Sequence, residues 1–142
     1  MTIYTTSHAL PSAIEYCNLR YLCGLSERTL LAAELSLPRS LFCVSLRNND
    51  NLLIAMGRVI GDLGCFVQIC DITVHPDYQG NKLSIAVMDE VMAFINKSVP
   101  KCAFVNLFAD VDFLYQKYGF IYPENTKGMC LSQKQTANKL TV

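Results

Sequence analysis

The sequence predicts an α+β fold built on a mixed, mostly antiparallel central sheet flanked by helices. Three observations predict it. Apolar residues recur at helical spacing over the early part of the chain and switch to strand-like alternation at Phe42. Three such runs follow one another across short polar turns, the pattern of an antiparallel meander. A long amphipathic helix then leads into a further strand-like run, and a strand reached through a helix lies parallel to the one before it.

Taken in order, a short strand is allowed before Pro11. Ile14, Cys17, Tyr21, Leu22 and Leu25 mark an amphipathic helix over residues 12 to 24, which Gly24 ends. Ser26 caps a second helix, with Glu27 in its first turn at the positive end of the dipole and Pro38 as its stop. Phe42, Val44 and Leu46 alternate as a strand, Asn48-Asn49-Asp50-Asn51 turns the chain, and Leu52 to Ile60 returns with Gly57 as a candidate bulge. A turn over Gly61-Asp62-Leu63-Gly64 leads to a third strand, Cys65 to Val74. His75-Pro76-Asp77 breaks the sheet, and a helix over roughly Asn81 to Lys97 carries the apolar stripe Leu83, Val87, Val91, Phe94 and Ile95. Ala103 to Phe108 is the parallel strand. Asp110 or Asp112 caps a short helix ending at Gly119. Phe120 to Tyr122 and Met129 to Ser132 read as short strands, and a polar, frayed tail begins at Gln133.

Composition bounds what such a chain does. Its 142 residues hold one ordinary core, so residues 1–142 read as a single domain with a flexible tail over 133–142. Twelve Lys+Arg balance twelve Asp+Glu, and no basic stripe is available to replace phosphate counterions, which argues against nucleic acid as a partner. The absence of a leader pattern and of an apolar run of about 18 residues predicts no signal peptide and no membrane span. Seven cysteines at irregular spacing, most of them within apolar runs, read as reduced core thiols in a cytoplasmic setting. His8 and His75 lie far apart and no CxxC occurs, so no metal site is expected.

The segment Val74-His75-Pro76-Asp77-Tyr78-Gln79-Gly80-Asn81-Lys82-Leu83-Ser84 joins a buried strand to the start of the long helix. A helix N-terminus offers unpaired N–H groups and a positive dipole end, and Gly80 lets an anion approach the backbone. On spacing alone this is either an anion site or an ordinary strand–turn–helix connection. A nucleotide P-loop is set aside, because the contiguous Gly-Lys-Ser/Thr and the upstream glycine are missing.

Here the chain resembles the GNAT superfamily of acetyl-CoA-dependent N-acetyltransferases. Asp71-Ile72-Thr73-Val74-His75-Pro76 running into Tyr78-Gln79-Gly80 is similar to that family's strand and pyrophosphate loop, whose pattern is Q/R-x-x-G-x-G/A. Ala109-Asp110-Val111-Asp112-Phe113-Leu114-Tyr115-Gln116-Lys117-Tyr118-Gly119-Phe120 is similar to its late helix. The separation of the two motifs and the order of elements match as well, so the resemblance covers nearly the whole chain. Two departures stand out: Lys82 occupies a position where glycine is usual, and Ser84 replaces the last small residue.

The resemblance implies acetyl-CoA as co-substrate and direct attack of an amine in a ternary complex, without an acetyl-enzyme. It implies binding of the cofactor by Ile72, Thr73 and Val74 and by the loop Gln79, Gly80, Asn81, Lys82, Leu83 and Ser84, with Asn106 toward the pantetheine arm. The Val74 N–H is the candidate oxyanion donor and Tyr115 the candidate acid for the CoA thiolate. The base is the weak point. Gln68 stands where some members carry a glutamate, and Asp71 is the nearest acid, either a base or a structural carboxylate that needs a partner in its apolar strand. A water chain is the favoured proton route, ahead of His75. The acceptor is a small-molecule or protein amine, with Glu27 and Glu34 available to attract a cation; a homodimer is allowed and no membrane partner is implied. Two rivals remain: a thiol enzyme using Cys70, His75 and Asp71, disfavoured because adjacent strand residues point to opposite faces, and a non-catalytic acyl-CoA-binding regulatory module.

Overall fold

The computed structural model describes residues 3–131. Five strands form one sheet in the order β1-β2-β3-β4-β5: β1 (Thr5–Ser7), β2 (Phe42–Arg47), β3 (Leu53–Gly61), β4 (Phe66–Val74) and β5 (Phe104–Asn106). The first four pair antiparallel, and β4 pairs β5 in parallel over Phe66↔Phe104 to Gln68↔Asn106. The helices are α1 (Ala13–Leu22), α2 (Leu30–Ser36), α3 (Leu83–Ser98) and α4 (Phe113–Gln116). The sheet is covered on both faces. Val44, Leu46, Ile54 and Val59 meet Val87, Met88 and Val91 of α3 on one side. Cys43, Leu53 and Met56 meet Tyr16 and Leu19 of α1 and Ala33 of α2 on the other.

Local chemistry accounts for the element ends. Ser12 and Glu15 form a reciprocal capping box at the start of α1. Asn48 Oδ1 accepts from the N–H groups of Asp50 and Leu52 in the first hairpin, and Asp62 Oδ1 accepts from those of Gly64, Cys65 and Phe66 in the second.

Several expectations need correction. The α1 stripe drawn through Ile14, Tyr21 and Leu22 faces solvent, and Tyr16, Leu19 and Arg20 are the buried residues. The helix turns this way because the strand beneath it holds a buried carboxylate, described below. The second helix starts three residues late: Thr29 caps it, while Ser26 binds Arg20 instead. The bulge lies across the ladder from Gly57. Between the pairs Met56↔Thr73 and Arg58↔Cys70, β4 inserts both Asp71 and Ile72 opposite the one glycine. A Cβ on Gly57 would lie 2.6 Å from Val87 Cγ1 and 2.8 Å from Ile72 Cδ1, so α3 and the bulge close over that position. Asp112 occupies the cap position of α4 without a side-chain bond into the helix, and its carboxylate accepts from Tyr122 instead.

Residues 120–122 and 129–131 are not strands. β5, the edge strand of the sheet, is only three residues long, and neither segment pairs with it; its continuation Leu107 and Phe108 lines a cleft. Ile121, Tyr122, Met129 and Leu131 are exposed. Ser132 and the tail from Gln133 lie outside the described residues.

Candidate active site

The site opens where β4 and β5 part: their pairing ends at Gln68 and Asn106, and the Asp71–Ile72 bulge follows on β4. The resulting cleft, about 960 Å³, is bounded by β4, the start of α3, the β5–α4 connection and the loop between α1 and α2.

At one end lies the start of α3. Gly80 has φ +84° with open space where a side chain would stand, and Lys82 has φ 61°, ψ 23°. The backbone thus keeps the left-handed turn that glycine usually supplies, now on a lysine. The hydrogen bond from the Ala86 N–H to Lys82 O closes the first helical turn, so the N–H groups of Leu83 to Ile85 point out of the helix end. Gln79, Gly80, Lys82, Leu83 and Ser84 all line the cleft. Asn81 does not: its amide bonds to Tyr78 O and Gln79 O and shapes the loop. The Gln79 amide is turned back onto Val74 O at 3.2 Å, tying the loop to the end of β4.

On the strand, Ile72 and Val74 line the cleft, whereas the Thr73 side chain is buried and donates to Asp71 O. The His75 N–H bonds to Ile54 O at 2.7 Å, which makes Ala55 and Val74 a non-hydrogen-bonded pair. The Val74 N–H is therefore directed away from β3, toward the open edge. Asn106 lies outside the cleft lining; its Oδ1 accepts from Gln68 Nε2 at 3.1 Å.

Tyr115 lines the opposite wall on α4, half-buried, with its ring edge-on to Phe120. Burial, with the charge of Asp110, pushes its phenol above the ordinary range. The phenol therefore stays protonated at neutral pH. Tyr118 anchors the same segment, donating to Asp89 Oδ1 at 2.7 Å on α3.

Asp71 is the bulge residue itself, at φ 57°, with a side chain only 6% exposed. Its carboxylate accepts from Tyr16 at 2.8 Å, from Arg58 Nε at 2.9 Å and from Arg20 Nη1. Burial pushes its pKa up, but the bonds from Arg58 and Tyr16 and the charges of both arginines outweigh that and hold it below the usual carboxylate range. This partner set is what sequence reading missed. Arg20 and Tyr16 are polar and escaped the apolar stripe, although their i, i+4 spacing on α1 and the unpartnered Asp71 in an apolar strand were the available signals. Beside it, burial and the charge of Asp71 push the Cys70 thiol up to about 12, so no thiolate forms there. His75 Nδ1 accepts from the Asp77 N–H in the turn, and His75 does not line the cleft.

No family model matches the chain. An uncharacterized N-acetyltransferase, ycf52, of Porphyra purpurea is 32% identical over 125 residues, 82% of this chain and 71% of the relative. A Staphylococcus aureus protein of unknown function, described as a probable acetyltransferase, has the same fold at TM-score 0.85 and 38% identity, over 92% of this chain and 99% of that one. A GNAT-family acetyltransferase structure from Xanthomonas campestris aligns at TM-score 0.67 and 25% identity, covering 87% of each chain. More remotely, at 18% identity and TM-score 0.63 over 85% of this chain and 70% of the other, the fold is shared with an Escherichia coli GNAT N-acetyltransferase in complex with CoA. The splayed strands, the helix start between them and this likeness together show that the chain belongs to the GNAT superfamily of N-acetyltransferases and is an acyltransferase of that type.

Proposed function

We propose that the protein moves the acetyl group of acetyl-CoA to a primary amine by direct attack within a ternary complex. The observation that carries this reading is a cleft that has the start of α3 at one end, the Val74 N–H on its strand edge and the protonated Tyr115 phenol on its far wall.

In this reading the N–H groups at the start of α3 and the cleared backbone at Gly80 hold the pyrophosphate, with Lys82 as a nearby cation. The open edge at Ile72 to Val74 pairs with the pantetheine arm, and the likeness to a fold neighbour crystallised with CoA supports that placement. The Val74 N–H stabilises the thioester oxygen as charge develops on it. The amine nitrogen bonds to the carbonyl carbon, the C–S bond breaks, and the nitrogen gives up its second proton to water to become the neutral amide. Tyr115 gives its proton to the departing thiolate and recovers one from solvent. One proton leaves the acceptor ammonium beforehand through water. We assign no base role to Asp71, whose oxygens already hold a tyrosine and two arginines; it is a positioning residue that fixes the bulge. Gln68 cannot accept the proton and is tied to Asn106.

The test is release of free CoA thiol from acetyl-CoA with a panel of amines. Thiol release that depends on one of them is the expected result. Measurable CoA binding without release from any amine overturns the enzyme reading in favour of a regulatory binding module.

A further inference from the structure

One wall of the cleft carries more positive charge than its carboxylates balance. Arg58 and Arg20 share the single carboxylate of Asp71. Arg20 then reaches outward, donating through Nη2 to Ser26 O at 2.8 Å and to Ser26 Oγ at 3.1 Å. Arg28 Nη1 donates to that same hydroxyl oxygen at 2.8 Å and to Glu27 O at 3.1 Å. One serine oxygen thus bridges two guanidinium groups, and the chain Arg28–Ser26–Arg20–Asp71–Arg58 holds three cations and one anion. Tyr16, the remaining member, is neutral: burial and the Asp71 charge push its phenol up to about 12.

Arg28 is the outer end of this chain. It is exposed, lines the cleft and has no carboxylate within ion-pair distance among the described residues. Its Nε and Nη2 bond to nothing described, while its position is set from both sides, by Ser26 Oγ on the guanidinium and by the Cys17 thiol on its carbonyl. Glu27 and Glu34, expected to draw a cationic acceptor, do not line the cleft. Among the described residues, the carboxylates that do are Asp71, fully engaged, and Asp110, on the wall that carries Tyr115.

We propose that Arg28 is a specificity residue that binds an anionic group, carboxylate or phosphate, on the acceptor amine, so that the preferred acceptors are small amines bearing such a group. This rests on the N-acetyltransferase reading. A guanidinium with free, fixed donors recognises either oxyanion in the same way. The surplus charge of the wall also disfavours the ammonium form of a nearby amine, a useful bias where no side-chain base is free.

Matched pairs test it, with CoA thiol release as readout: β-alanine against β-alaninamide, O-phosphoethanolamine against ethanolamine, and 1,4-diaminobutane as a purely cationic amine. In at least one pair the anionic member should have the higher kcat/KM, by roughly tenfold or more, and the responding pair identifies the anion. Arg28→Ala should reduce the gap to about twofold or less through the acceptor KM, with the KM for acetyl-CoA unchanged, and Arg28→Lys should restore part of it. Neutral amines or the diamine used as well as the anionic ones, or a gap that survives Arg28→Ala, overturns the proposal while leaving the transferase reading intact. No turnover of any amine overturns both.

Discussion

At the scale of single residues, two side chains in the cleft have opposite duties. Tyr115 is held protonated by burial and makes no described hydrogen bond through its hydroxyl, the state of a group ready to give a proton away. Tyr115→Phe should lower kcat by about 10²-fold, the range for losing one positioned acid, with the Kd for CoA nearly unchanged by calorimetry. Unchanged turnover would remove Tyr115 from the chemistry. Asp71 cannot be given away in this sense. Asp71→Asn keeps the shape and tolerates the left-handed backbone at φ 57°, yet leaves Arg20 and Arg58 buried without a counter-charge. It should destabilise the fold by about 3–5 kcal/mol in urea unfolding. Asp71 was legible only as a carboxylate in need of a partner, because two of its donors come from α1, remote in sequence, and the third from across the β3–β4 hairpin.

At the scale of elements, the bulge in β4 and the start of α3 define the cleft, and each contains one residue under a special constraint. Gly57 opposes the bulge with Val87, Val91 and Ile72 packed where its Cβ would be. Gly57→Ala must displace the β-branched Val87 of the packed α3 as well as the tip of Ile72 and should cost about 1–3 kcal/mol, seen as a lowered urea midpoint at unchanged slope. Lys82 holds a left-handed conformation at the cap of α3 with no side-chain cap bond. Lys82→Gly relieves that strain but gains freedom in the unfolded chain, so a net stabilisation of about 0.5–1 kcal/mol is expected in the same measurement. A loss of stability would mean that the lysine side chain contributes more than its backbone costs. Periodicity placed α3 well because its stripe is wholly apolar. It misjudged α1, whose buried face is half polar, and it read strands after Gly119 where the chain has apolar residues that join no ladder.

For the whole molecule, two depressed carboxylates couple folding to acid. The hydrogen bond from Arg47 chiefly, against a burial penalty and with help from the capping box, lowers Glu15 from 4.5 to about 2, and Asp71 is shifted in the same direction. As pH falls the unfolded chain takes up these protons first. The stabilisation is therefore complete above about pH 4.5 and lost as pH drops toward 2. The thermal midpoint should fall steeply across that window, and Glu15→Gln should flatten part of the slope; an equal slope in the variant would assign the acid response to other groups. The chain by itself determined the order of elements as far as α4, the meander, the parallel return through α3 and the two motifs of its superfamily, because hydrophobic period, turn chemistry and motif spacing are local properties. Only the tertiary structure decided where the bulge falls, which face α1 buries, that Asp71 serves two arginines, and that Arg20 and Arg28 line the cleft while Arg58 is buried behind Asp71. Those outcomes depend on charges separated by about 50 residues in sequence meeting where solvent is excluded, and a buried carboxylate overrides the apolar stripe of whichever helix can satisfy it.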